Sequence, residues 1–212
     1  MKTLLDCLNN IGYIILAINC IVYLKNYRIK LKPYKLVLLY LLSTLIIQYY
    51  SAYLSSFKAN NLFLSHYYFI EQFILLSLFY RSVLKNMLLK KLISILLVLI
   101  VLSFIIYYYY NTSYYYKFNI VEIITTNIPL IFYSFYFIIE SLNNTNKKFI
   151  YINSGFFIYL FCSTLLFSCG IIDAIKEVKI WLWLFNNILY ILLQILIFIE
   201  WYKNFRNPSK VN

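Results

Sequence analysis

Seven long apolar stretches, separated by short polar segments, follow one another along this chain. Each stretch is close to the roughly 20 residues that an α-helix needs to cross the hydrocarbon core of a bilayer. They run over residues 4–24, 36–54, 62–80, 92–110, 120–142, 149–172 and 180–202. Transmembrane β-strands would alternate apolar and polar residues, which these stretches do not. The sequence therefore predicts an all-α polytopic transmembrane helical bundle with about seven spans, and a single transmembrane domain over residues 1–212.

The composition excludes a water-soluble domain. The chain is 63% hydrophobic and 12% charged, whereas soluble domains are roughly 45–50% apolar and about 25% charged. A soluble fold of 212 residues would leave much of that apolar surface in water. The partner that the composition indicates is therefore the lipid bilayer.

Lys and Arg are distributed unevenly between the two sides of the predicted membrane protein. Of the 19, fourteen follow the first, third, fifth and seventh spans, and five lie on the other side. Cytoplasmic loops carry the excess of positive charge, so we expect the N-terminus outside and the C-terminus in the cytoplasm, with the protein in the inner (cytoplasmic) membrane. The net charge of +12 then reflects attraction to the anionic inner leaflet, and we expect no nucleic-acid partner.

The third predicted span carries polar side chains at membrane depth. Glu71 is about nine residues into it, or about 14 Å along the helix, close to the midplane. No Lys or Arg lies at a matching depth, so we expect its carboxyl to be protonated or hydrogen-bonded to Asn, Gln or Tyr. His66 and Glu71 point about 140° apart and cannot pair with each other. Polar groups on several faces predict a helix surrounded by other helices.

Three further spans gather polar side chains on one face, within arcs of about 100–140° on a helical wheel. With the third span they predict a polar pocket open to the outside, formed by spans two, three, five and seven. Its candidate ligand-binding residues are Gln48, His66, Glu71, Gln72, Glu122, Asn186, Asn187 and Tyr190. Two alternatives remain open. The polar face of the seventh span can serve interhelical hydrogen bonds, and Glu122, near the outer end of its span, can reach water.

Other features predict which parts of the protein face lipid or lie at the membrane interface. The fourth span is almost entirely apolar and is expected to face lipid, with Tyr107–Tyr110 and Tyr114–Tyr116 forming an interfacial aromatic belt at its outer end. Glu140 and Glu200 lie near the inner ends of their spans, close to lysines, and are expected at the interface.

The four cysteines and the one histidine match no zinc-binding spacing, so we expect neither a metal nor a cofactor. Cys7 and Cys169 fall at the outer ends of their spans, where a disulfide is possible. The alternative is that the cysteines are buried free thiols.

No sequence motif names a reaction: the HExxH and GxSG patterns are absent, and residues 180–202 contain no lysine of the kind that anchors retinal. The helix number and orientation resemble the seven-helix sensor modules of bacterial histidine kinases. From the predicted outer pocket we favour a sensor or receptor-like module that binds a small molecule there and signals to a cytoplasmic or membrane partner. The alternatives are an intramembrane enzyme acting on a lipid or isoprenoid, with Glu71 and His66 as acid and base, and a channel or transporter subunit.

Overall fold

The computed structural model describes residues 2–142, 148–169 and 176–207, and within these ranges it is helical and contains no strand. The α-helices of the described ranges are α1 Lys2–Lys25, α2 Lys32–Ser56, α3 Phe63–Val83, α4 Met87–Tyr110, α5 Ile120–Leu142, α6 Ile150–Cys169 and α7 Lys176–Glu200. A short 3₁₀ helix, Thr112–Tyr116, lies between α4 and α5, and a π-helical turn, Trp201–Phe205, continues α7. The predicted all-α fold is confirmed.

Six of these helices are long and apolar enough to cross a membrane, and the chain is a multi-pass membrane protein. The remaining one, α3, lies where the third span was predicted. Its His66, Glu71, Gln72 and Arg81 lower its mean hydropathy. The orientation of the N-terminus outside and the C-terminus inside stays a prediction.

The chain divides into two compact units. The first unit comprises Met1–Lys30 and Ser134–Asn212, and the second unit comprises Leu31–Tyr133. In the first unit, α7 packs against α1 and α6, and in the second unit α3 packs against α2 and α4. The expectation of one domain over residues 1–212 stays a prediction.

Small residues let the helices of the first unit approach closely. A Cβ on Gly155 of α6 would lie 3.0 Å from Leu193 Cδ1, and one on Gly12 of α1 would lie 3.1 Å from Tyr190 Cδ1. Such close approach is typical of helix pairs in membranes. The helices α1 and α7 are also joined by hydrogen bonds: Asn19 Nδ2 donates to Gln194 O and to Gln194 Oε1, both at 2.9 Å. Part of the polar face of α7 thus serves interhelical hydrogen bonding.

Glu200, at the end of α7, does not lie at the membrane interface as expected. Its side chain is fully buried rather than interfacial, and its carboxylate accepts hydrogen bonds from Phe149 N at 2.6 Å and Tyr151 N at 3.0 Å. Because α6 begins at Ile150, these are N–H groups of the first turn, which have no partner within their own helix. Glu200 therefore supplies the N-terminal cap of α6 from another helix, with the charge that this end of a helix favours.

In the second unit, α3 is the central helix and α4 the peripheral one. Ten residues of α3 are buried, over an arc of about 220° on the helical wheel, whereas α4 buries Ile93 and Phe104. The prediction that α4 is peripheral is confirmed. The helix α3 is the more enclosed of the two, but the face that carries Tyr67 and Arg81 is exposed. Asparagines define two helix starts, since Asn86 Oδ1 accepts from Leu88 N and Leu89 N, and Asn119 Oδ1 accepts from Val121 N and Glu122 N.

The cysteines fit the buried-thiol interpretation only in part. Cys20 is buried, Cys162 is half-buried, and Cys7 is exposed. The side chain of Cys169 lies outside the described residues, and so does the question of its pairing with Cys7.

Candidate functional site

His66 and Glu122 form a buried pair in the second unit. His66 lies in the first turn of α3 and Glu122 in the first turn of α5, and His66 Nδ1 is 2.5 Å from Glu122 Oε2. The residues are 3% and 0% exposed. The alternative that Glu122 reaches water is therefore wrong, because the imidazole of another helix covers its carboxyl.

Two further side chains complete this arrangement, which we call the His66 cluster (His66, Tyr108, Asn119 and Glu122). Tyr108, near the end of α4, donates to Glu122 Oε2 at 2.5 Å, and its hydroxyl lies 2.9 Å from His66 Nδ1. Asn119 Nδ2 donates to the Tyr108 hydroxyl at 3.1 Å. The cluster thus ties together α3, the end of α4 and the start of α5. Tyr108 was expected in the interfacial belt with Tyr110, which is 77% exposed, and instead turns inward because Glu122 needs a donor.

The cluster holds two buried atoms that no described residue satisfies. With the imidazole proton on Nδ1, Glu122 Oε2 accepts hydrogen bonds from both His66 and Tyr108, but Glu122 Oε1 and His66 Nε2 have no partner among the described residues. A buried polar atom without a partner costs about 1–3 kcal/mol. The Nδ1 proton bonds to the carboxylate, so Nε2 is an acceptor in the neutral imidazole and a donor in the imidazolium.

Two more polar pairs lie deeper along α3. Gln72 Nε2 donates to Asn127 Oδ1 of α5 at 3.2 Å, and the hydroxyl of Ser43 on α2 donates to Glu71 Oε1. Gln72 is six residues beyond His66, which is about 9 Å along the helix. The hydrogen-bond partner of Glu71 is therefore a serine rather than Asn, Gln or Tyr, and the alternative expectation, a protonated carboxyl, stays a prediction. Glu71 Oε2 and Gln72 Oε1 are again buried without a partner in the described part of the chain.

Aromatic rings cover the His66 cluster. The ring centroids of Tyr108 and Tyr115 lie 4.5 Å and 5.9 Å from the imidazole, and the Tyr115 hydroxyl donates to the Tyr67 hydroxyl at 2.7 Å. Burial and the hydrogen bond to Tyr67 raise the pKa of Tyr115 to about 12, so this hydroxyl keeps its proton at physiological pH. We call Tyr67 and Tyr115 the aromatic cover. His66 and Glu122 lie beneath it and are buried, whereas the predicted pocket is open to the outside.

The predicted site residues fall into both units. Gln48, His66, Glu71, Gln72 and Glu122 belong to the second unit, whereas Asn186, Asn187 and Tyr190 belong to the first. Of these eight, the structure joins His66 and Glu122 directly. In the first unit, the Tyr190 ring packs 6.0 Å from that of Tyr159, and Asn186 Oδ1 is buried with no partner among the described residues.

Sequence reasoning missed several residues of the site. Tyr108 stands in a run of four tyrosines, which is typical of an interfacial belt and hides the inward-facing member. Asn119 and Asn127 carry no signal of their own, although an Asn just before an apolar helix is a typical cap. Within the described ranges, no group of three or more His, Cys, Asp or Glu residues could hold a metal ion.

Comparison of this chain with models of protein families, with curated proteins and with solved structures gives no match.

Proposed function

We propose that this protein is a membrane-embedded sensor or receptor-like module of the inner (cytoplasmic) membrane, and that it binds a small molecule at the His66 cluster. The observation that carries the proposal is a pair of buried polar atoms within the cluster that no described residue satisfies, His66 Nε2 and Glu122 Oε1. Polar side chains at membrane depth are costly and by default mark functional positions.

The chemistry of these atoms indicates the class of ligand. Glu122 Oε1 is a carboxyl oxygen, which accepts hydrogen bonds, and His66 Nε2 is an acceptor in the neutral imidazole. A ligand that presents several N–H groups, such as an amine, a guanidine or an amide, therefore fits them best. The aromatic cover adds ring faces, which attract organic cations.

The arrangement of the cluster suggests how binding would be signalled. His66, Tyr108 and Glu122 belong to three different helices, and the hydrogen bonds that join them would be rearranged by a ligand bonded to His66 Nε2 or Glu122 Oε1. A ligand shifts an equilibrium between two helix arrangements only through its difference in affinity for them. The proposed output is a small movement of α3, α4 and α5 that a partner protein reads.

A thermal-shift screen tests the proposal. Purified protein in lipid nanodiscs is mixed with amines, guanidines and amides, each beside its hydroxyl analogue. We expect at least one N–H compound to raise the melting temperature of the wild type while its hydroxyl analogue does not. The Glu122→Gln and His66→Gln variants should lose that shift, and Ser103→Ala, on the exposed face of α4, should retain it. A panel without any stabilising compound, or a shift that both cluster variants retain, would contradict the proposal.

A second candidate function is an intramembrane enzyme that acts on a lipid or isoprenoid. The 2.5 Å separation of His66 Nδ1 and Glu122 Oε2 favours it, because a histidine paired with a carboxylate can take up and release a proton. In that case Glu122, rather than Glu71, works with His66. Incubation with a total lipid extract, followed by mass spectrometry, separates the two functions, since only the enzyme converts a lipid in a manner that His66→Gln abolishes.

A further inference from the structure

We infer that the second unit binds the phosphate of an anionic phospholipid in a basic groove at the end opposite the His66 cluster. The groove has a volume of about 920 Å³ and lies among the start of α2, the end of α3 and the start of α4. We call it the basic groove. Four cations line it: Lys32, Arg81, Lys90 and Lys91.

These cations have no anionic partner among the residues that the structure describes. None of the four forms an ion pair in the described ranges. The acidic residues of the second unit are Glu71 and Glu122, and both are hydrogen-bonded elsewhere, to Ser43 and within the His66 cluster. Four unneutralised cations around one cavity attract an anion strongly, and an Arg beside lysines is well suited to phosphate.

The starts of two helices add to this attraction, but unequally. The α4 start is capped by Asn86, so its first N–H groups are satisfied. The α2 start has no side-chain cap, and Pro33 occupies its first turn. Its positive end therefore faces the groove without a competing acceptor. The hydroxyls of Ser82 and Ser94 also line the groove and can bond a phosphate oxygen.

The remainder of the lining is apolar and explains why the occupant is a lipid. Beyond the cations, the groove is bounded by Leu78, Ile95, Val98 and Leu99. Val98 lies eight residues beyond Lys90, which is about 12 Å further into the membrane. Ile95, Val98 and Leu99 are 47%, 52% and 59% exposed on the helix predicted to face lipid. A phosphate held by the cations therefore has its acyl chains beside this apolar wall.

The side of the membrane is consistent with this occupant. The groove lies at the end of the second unit whose loops carry the excess of Lys and Arg, which the positive-inside rule places at the cytoplasmic leaflet. That leaflet is rich in anionic lipids, and basic pockets between transmembrane helices are typical binding sites for their head groups. This inference does not depend on the proposed function, because it concerns other residues and another ligand.

Native mass spectrometry with defined lipids tests the inference. Delipidated protein is mixed with phosphatidylglycerol, phosphatidylcholine or the tail-less glycerol phosphate. We expect phosphatidylglycerol to be retained and the other two to dissociate. The triple variant Arg81→Gln, Lys90→Gln, Lys91→Gln should retain it about a hundredfold less tightly, since each surface cation contributes about 1 kcal/mol toward an anionic lipid.

Two further variants complete the experiment. The control removes three exposed cations elsewhere, Lys58→Gln, Lys117→Gln and Lys179→Gln, and should bind like the wild type. Ile95→Trp fills the apolar part of the groove without changing the charges that set topology, and should weaken binding several-fold. Equal retention of phosphatidylcholine, equally tight binding of glycerol phosphate, an equal loss in the control, or wild-type binding by both groove variants would overturn the inference.

Discussion

The two oxygens of the Glu122 carboxyl differ in their surroundings. Oε2 accepts hydrogen bonds from His66 and Tyr108, whereas Oε1 has no partner among the described residues. In a site of low dielectric, such bonds strengthen one another, and the removal of one member leaves the others unsatisfied. The cluster should therefore behave as one unit when it is mutated.

The first prediction concerns this coupling. We expect His66→Gln and Glu122→Gln each to destabilise the protein. The double variant should be less destabilised than the sum of the two by about 1–3 kcal/mol, since the second change removes a partner already lost. Free energies of unfolding in mixed micelles measure this. Asp6→Asn, an exposed change in the other unit, combined with His66→Gln serves as the additive control, and strict additivity in the His66–Glu122 pair would contradict the coupling.

Glu200 carries the second prediction. Its carboxylate satisfies two N–H groups at the start of α6, and each hydrogen bond to a charged group contributes about 1.5–3 kcal/mol. We expect Glu200→Ala to lower the free energy of unfolding by about 3 kcal/mol. Asp6→Ala, which removes an exposed acid from the same unit, should leave it nearly unchanged. Equal effects of the two changes in a denaturant titration would refute the capping role.

The most apolar helix of this protein is not the one that buries the most residues. The helix with the highest mean hydropathy among the membrane-crossing candidates is α4, yet it buries two residues, while the less apolar α3 buries ten. The reason is that lipid contacts accept only apolar side chains, whereas a helix enclosed by protein can place polar groups against partners. Polarity in a span therefore indicates a central position here.

The third prediction compares the substitution of a buried leucine by alanine with that of an exposed one. Leu76 of α3 is 1% exposed and Leu102 of α4 is 50% exposed. We expect Leu76→Ala to destabilise the protein by about 2–4 kcal/mol through the cavity that it leaves. Leu102→Ala should change stability by less than about 0.5 kcal/mol, because lipid fills the space. Folded yield after detergent extraction and thermal unfolding measure both, and a larger effect at Leu102 would place α4 in the protein interior.

At the scale of the whole molecule, the position of α3 decides how often the chain crosses the membrane. The asymmetry of Lys and Arg predicts that the α2–α3 connection lies outside and the α3–α4 connection inside. Labelling of single cysteines in a cysteine-free background, placed at Ser56 and at Lys85, tests this fourth prediction. An impermeant reagent should reach the first site from outside and the second only after lysis. Labelling of both sites from the same side would show that α3 does not cross.

The sequence predicted the fold far better than the site. The length of an apolar stretch is almost enough to predict a membrane-spanning helix. Residues 120–142, the predicted fifth span, coincide with α5. The pairing of side chains depends on which helix faces which, and helical wheels do not contain that information. His66 and Glu122 were each singled out, but their direct bond, the inward turn of Tyr108 and the cap that Glu200 provides arise from packing between segments distant in sequence.

The measurement that tests the central claim most directly is nitrogen NMR on the single histidine of this chain. Protein labelled with ¹⁵N-histidine in nanodiscs reports on His66 Nδ1 and Nε2 without interference from another imidazole. The N–H compound that raises the melting temperature in the screen is then added. We predict that the Nε2 resonance moves as it gains a hydrogen-bond partner, and that Glu122→Gln abolishes the movement. Stabilisation by the compound with both His66 resonances unchanged would show that it binds elsewhere, and would contradict the account.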